Sequence, residues 1–171
     1  MKKMAYLLFI VLVTGCSSNY FTTMVYSSDF RINLNQEHFK GASVFSTPDL
    51  SIKTREGKLL SGTVLTPGAD DLPHDFDMRQ YPLYLQNSEI RSTLVEAAAA
   101  ILAATAAEIE HTYGRDALQI TTHNQWTSHQ ICKDDRCLTL ISMEEQPRQL
   151  LNLHSKGFEA IEIIEILKAG L

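Results

Sequence analysis

A chain of 171 residues has room for one sizeable hydrophobic core and hardly for two. Its 44% hydrophobic and 20% charged residues are an ordinary globular balance, and no fixed-period repeat or Pro/Gly/Ser tract marks a solenoid or a disordered tail. With 15 Lys+Arg against 20 Asp+Glu, no basic stripe is left to neutralise phosphates, which argues against a nucleic-acid partner.

The first segment reads as an export signal. Lys2 and Lys3 form a short positive start, and residues 5–13 are an unbroken apolar run. Crossing a bilayer takes roughly 20 apolar residues, so this run is a signal-peptide core rather than a membrane span. It leads into Leu12-Val13-Thr14-Gly15-Cys16-Ser17.

That run resembles the lipobox of bacterial lipoproteins, over residues 1–17 only. Thr14 and Gly15 are the small residues expected there, whereas Val13 stands where Leu is commoner. The resemblance implies cleavage after residue 15 and acylation of Cys16. Ser17, in place of the Asp that marks inner-membrane retention, implies an outer-membrane anchor facing the periplasm. Acyl chains, at ~0.8 kcal/mol per buried methylene, would hold the protein there essentially permanently. Cleavage would remove Lys2 and Lys3, leaving 13 basic against 20 acidic residues, a formal −7.

Tyr20, Phe21, Met24, Val25 and Tyr26 follow almost at once and are poor linker material. Residues 16–28 are therefore read as a short tether, and 29–171 as one α+β domain. Phe30, Ile32 and Leu34 alternate with Arg31 and Asn33, the pattern of a half-buried strand. Residues 50–54 and 58–65 flank Arg55-Glu56-Gly57 as a hairpin. Residues 66–87 are irregular, with Pro67, Gly68, Pro73 and Pro82, although 81–85 could form a short strand.

A long helix is predicted over 89–112, capped by Ser88 or by the Thr93/Glu96 box and stopped by Gly114. Its buried stripe would be Ile90, Leu94, Ala97, Ile101, Thr105 and Ile109. The alanines between 97 and 107 suit a close helix–helix contact, but Ala is also the best helix former, and that simpler account is preferred. Three antiparallel strands follow at 118–122, 125–132 and 137–143, with residues 133–136 as a turn. Residues 157–168 then form an amphipathic terminal helix with Phe158, Ile161, Ile164 and Leu167 on one face. The expected fold is thus an antiparallel sheet with the Ala-rich helix and the terminal helix packed on it.

Cys132 and Cys137 face each other across the last hairpin, and exported cysteines usually pair, so a structural disulfide is expected. The competing zinc set would add His123 and His129, but it needs both thiols reduced. Asp70, Asp71, His74, Asp75 and Asp77 form an oxygen-rich loop without regular calcium-loop spacing, so no metal or other cofactor is expected. No Gly-x-Ser-x-Gly elbow, His-Glu-x-x-His helix or phosphate loop occurs, and no catalytic residue is assigned. The leading expectation is a non-enzymatic module that binds an envelope protein through the loop at 70–77 and the surface near Trp126, although for the only Trp itself a core anchor is the preferred account. The alternative is a carrier or hydrolase for a lipid or cell-wall fragment, which would need an apolar cavity of at least roughly 300 Å³ with converging polar groups.

Overall fold

The computed structural model describes residues 21–35, 39–46 and 49–171. The signal at 1–15, Cys16 and Ser17 lie outside the described residues. The fold starts earlier than the tether at 16–28 implies, because Phe21–Val25 is already a strand, β1. It pairs antiparallel with β2 (Arg31–Asn35), Met24 opposite Ile32. Ser27 makes the turn between them, its Oγ accepting from the amides of Asp29 and Phe30. Along β2 the predicted alternation holds: Ile32 and Leu34 are buried, and Arg31, Asn33 and Asn35 are exposed.

The main sheet has seven strands: β3 (Ser43–Ser46), β4 (Leu50–Lys53), β5 (Leu59–Leu65), β6 (Gln119–His123), β7 (Trp126–Lys133), β8 (Arg136–Met143) and β9 (Leu150–Lys156). Their spatial order is β3-β4-β5-β9-β8-β7-β6, with every pair antiparallel. The first three strands run inward from one edge. The chain then crosses to the far edge and meanders back, so that β9 docks on β5 and joins the halves, with Leu151 opposite Val64. The β4–β5 turn is the predicted one, with Gly57 at a φ of 87° that suits glycine.

The crossover is helical. Residues 81–85, read as a possible strand, belong to helix α1 (Tyr81–Gln86), since Pro82 in its first turn presets a helical φ without losing an internal hydrogen bond. The long helix is broken into α2 (Ser88–Arg91) and α3 (Glu96–Tyr113). Asn87, not Ser88, caps α2 by accepting from the amides of Glu89 and Ile90. Ser92 and Thr93 turn their hydroxyls back onto the carbonyls of Glu89 and Ile90, a local bonding that competes with helix continuation. On α3 the buried residues are Ala98, Leu102 and Tyr113, while Ala97 is exposed, so the sheet-facing side is rotated from the predicted stripe.

The terminal helix, α4 (Ala160–Gly170), opens with a reciprocal capping box between Glu159 and Glu162. Ile163, Ile164 and Leu167 are buried, but Ile161 is 56% exposed. Gly170 lies so close to β2 that a Cβ would stand 2.7 Å from the Asn33 carbonyl oxygen, which is why a side chain is absent at that contact.

The sheet therefore separates two cores. Phe30, Ile32, Leu34, Trp126, Leu151 and Leu167 belong to the one beneath the β1–β2 hairpin and α4. Leu72, Met78, Leu102, Leu138, Leu140 and Leu150 belong to the other, beneath the loop and α1–α3. Leu150 and Leu151 feed opposite cores because successive strand residues point to opposite faces. The molecule is an α+β antiparallel sheet with helices on both faces. Among the described residues, no helix is long and apolar enough to cross a membrane.

Cys132 and Cys137 are disulfide-bonded, directly opposite each other in the β7–β8 register, with Cα atoms 4.1 Å apart. The turn between these strands is the residue pair Asp134-Asp135. A bridge closing so short a loop constrains the unfolded chain little. Reduction is expected to cost at most about 2 kcal/mol and to leave the sheet folded. Urea midpoints with and without reductant, at equal slope, would check this; unfolding on reduction would contradict it.

Candidate functional site

The central strand β9 carries two polar side chains on the face beneath α3. Asn152 sits between Thr63 of β5 and Leu140 of β8, and His154 sits between Ser61 and Leu138. Above them α3 presents Thr105, Ile109 and Tyr113, which recur at four-residue steps and so share one side of the helix. These groups, with Leu65, Tyr81 and the exposed Glu108, line a half-open cavity of about 300 Å³. That volume lies at the lower end of the small-molecule range.

The cavity's polar groups are unevenly satisfied. The Tyr113 hydroxyl and His154 Nδ1 are 3.0 Å apart, with the rings tilted over one another. Burial pushes the Tyr113 hydroxyl above its ordinary pKa, and likewise that of Tyr81, where a hydrogen bond with Thr105 opposes the shift. His154, still partly open to solvent at the mouth, is held below the ordinary imidazole value by burial, against the pull of Asp49 and Glu108. It is therefore neutral at neutral pH, leaving one ring nitrogen for a ligand whichever tautomer Tyr113 selects. Asn152 Oδ1 is buried and has no hydrogen-bond partner. An orphaned acceptor of this kind costs on the order of 1–3 kcal/mol, which a ligand with a donor group would recover.

This arrangement can bind a ligand, and its serine neighbour is already engaged. Ser61 is the cross-strand neighbour of His154, yet its hydroxyl is engaged with that of Ser51 at 2.7 Å. Among the described residues no Ser or Cys side chain hydrogen-bonds His154; the hydroxyl that meets its ring is that of Tyr113.

Two further hollows flank the site. A groove of about 730 Å³ runs along the other side of α3, past Ala103, Ala106 and Ala107 and over Leu118 and Ile131. Its cations are already engaged: Arg91 donates to the carbonyls of Tyr84 and Leu85, and Arg115 pairs with Glu110. A smaller polar hollow of about 270 Å³ near β6 and β7 holds Thr122, Thr127, Ser142 and His129, whose Nδ1 is buried without a partner.

The acidic loop is built into the fold. Leu72 and Phe76 root it in the core, Arg148 donates to the carbonyls of His74 and Phe76, and the Met78 amide bonds Pro147. Asp70 accepts from the Thr66 amide, and burial raises its pKa. Asp77 caps the 3-10 turn at Met78–Gln80 and pairs with Arg79 at 2.7 Å, whose hydrogen bond holds the carboxyl below the usual range. Asp71, His74 and Asp75 are exposed. Among the described residues no three His, Cys, Asp or Glu side chains are placed to hold a metal. Cys132 and Cys137 have no free thiols for the zinc set, and the His123 ring is tilted against Trp126 with centroids 5.7 Å apart.

Trp126 itself is 2% exposed and lies in the core under the β1–β2 hairpin and α4. Its indole offers no surface to a partner, and of the two readings of this residue the core anchor is the one that matches its place. The sequence reading missed Asn152, His154 and Tyr81 as site residues. One signal was available, the two polar residues spaced by two within Leu-Leu-Asn-Leu-His. Comparison with family models, curated proteins and solved structures returns no match to this chain.

His154 and His129 make stability depend on pH. Burial lowers both folded-state values below the ordinary 6.5, so the unfolded chain binds more protons as pH falls through that value. Their contribution is complete above pH 6.5 and is lost progressively below it. The urea midpoint is expected to drop between pH 7.5 and 6; a rise would refute the assignment.

Proposed function

We propose that the chain is a periplasm-facing, outer-membrane-anchored lipoprotein that binds a small amphipathic envelope molecule without transforming it. The observation that carries this reading is the cavity of about 300 Å³ in which aliphatic and aromatic side chains stand beside the unpartnered Asn152 Oδ1. Its size and mixed polarity support the carrier alternative. The anchor rests on the lipobox resemblance around Cys16.

Native mass spectrometry of the full lipoprotein, extracted gently from membranes, tests both parts. The expected result is a bound small molecule that Thr105→Trp excludes by filling the cavity. Cys16→Ser is expected to leave the precursor unprocessed or to release soluble protein. A wild-type protein with an empty cavity under all extraction conditions would end the carrier reading.

A second reading, docking of an envelope protein on the loop, is favoured by the clamp that Arg148 places on it. Asp71, His74 and Asp75 are thereby presented on a fixed backbone. In-cell crosslinking to one stoichiometric partner, lost when Asp71 and Asp75 are replaced by Lys, would favour docking; unchanged capture would oppose it.

A further inference from the structure

We infer that the cavity beneath α3 selects a cationic ligand, a compact amine on an apolar body; this rests on the binding reading above. Three observations converge on the sign of the charge. The cavity wall contains Glu108 and neither Lys nor Arg. Glu108 makes no ion pair among the described residues, so its carboxylate is uncommitted to a protein cation. Asp49 and Glu108 both act electrostatically on His154 at the mouth, and Asp70 acts on Tyr81.

The remaining polar groups agree. Asn152 Oδ1 is an acceptor with nothing to accept, which suits a ligand that brings an N–H or O–H. An anion would meet this oxygen and the Glu108 carboxylate with no cation in the wall to offset them. One positive group does approach: Arg136 acts on Tyr113. Its side chain is 60% exposed and stands 4.0 Å from Asp135, so its charge is screened and partly compensated. Glu108 is exposed as well, so the balance is struck at the cavity's mouth, where Glu108 belongs to the wall and Arg136 does not.

Size narrows the class further. A space of about 300 Å³, at the lower end of the small-molecule range, takes a compact ligand rather than a long acyl chain. Tyr81 and Tyr113 contribute ring surface, Leu138, Leu140 and Ile109 contribute aliphatic surface, and one end of the ligand must be polar. A protonated amine donates the charge-assisted hydrogen bonds that Asn152 and Glu108 can accept.

Benzylamine, benzyl alcohol and benzoate share one apolar body and differ in charge. Titrating each into the full lipoprotein in uncharged detergent, while following the His154 and tyrosine ring resonances, reads the preference directly. Benzylamine is expected to bind about tenfold more tightly than benzyl alcohol, the difference between a charged and a neutral hydrogen bond, with benzoate weakest. Glu108 is solvent-exposed at the cavity's rim, so Glu108→Gln should fold normally and shrink the amine–alcohol gap. Alcohol or benzoate binding as tightly as the amine, or a gap unchanged by Glu108→Gln, would overturn the cation preference and leave the cavity a binding site. No perturbation of these rings by any of the three would overturn the binding reading and this inference together.

Discussion

Leu102→Ala is expected to destabilise the protein by about 3–4 kcal/mol, a large part of the 5–15 kcal/mol typical of a domain. The reason lies in how α3 is held. Much of its surface is exposed alanine, and its buried residues are Ala98, Leu102 and Tyr113. Of these only Leu102 is a large, fully enclosed aliphatic side chain, in one core with Leu138, Leu140 and Leu150. Deleting it removes apolar burial and leaves a void that the stiff sheet below cannot close, so both the transfer and the cavity contributions count. Ala103→Ser, on the exposed side of the same helix, should stay within about 0.5 kcal/mol. Urea unfolding of both variants tests the contrast. A loss below about 1.5 kcal/mol for Leu102→Ala would mean that α3 re-seats, and the cavity at Asn152 would then be a soft feature of the fold.

The parts of the fold that announced themselves are those with one buried face. Phe30, Ile32 and Leu34 alternate with polar residues because β2 has a core on one side and water on the other. β9 was less plain: its alternation of Leu151, Leu153 and Ser155 with the more open Asn152, His154 and Lys156 is short, and it begins on adjacent Leu150 and Leu151 buried in opposite cores. On α3 the difficulty was size. Alanine is as acceptable in water as against a sheet, so a run of alanines specifies a helix without saying which side faces in. The break before α3 lay in Ser92 and Thr93, whose hydroxyls satisfy carbonyls the helix would otherwise have used.

The candidate site was less legible than the fold, for a topological reason. Tyr113 ends α3, while Asn152 and His154 sit on the last strand, and the two elements meet only because β9 inserts beside β5. No local spacing encodes that insertion. The loop at 70–77 attracted notice because its carboxylates are adjacent in sequence, yet Asp70 and Asp77 are occupied with capping and pairing. Adjacency in sequence revealed chemistry that stabilises the chain, whereas the unsatisfied group was assembled from afar.

Asn152→Leu should therefore raise stability and abolish binding in the same molecule. Leu nearly matches Asn in shape, and position 152 faces Leu140 across the β8–β9 pair in a wall that also contains Leu65 and Ile109. Replacing a buried, unpartnered oxygen by a methyl group removes a desolvation penalty of about 1–3 kcal/mol, and the packing change offsets only part of it. The expected gain is about 1–2 kcal/mol in the urea-derived stability, with ligand affinity falling at least about tenfold as the acceptor is lost. A purely structural Asn would give the reverse sign, because a side chain that holds the fold together cannot be exchanged for an apolar one at a profit. Stability and binding moving in opposite directions would mean that the orphaned oxygen is kept for a ligand. A destabilised variant would mean that Asn152 bonds a buried water instead, and the cavity would lose its strongest claim to function.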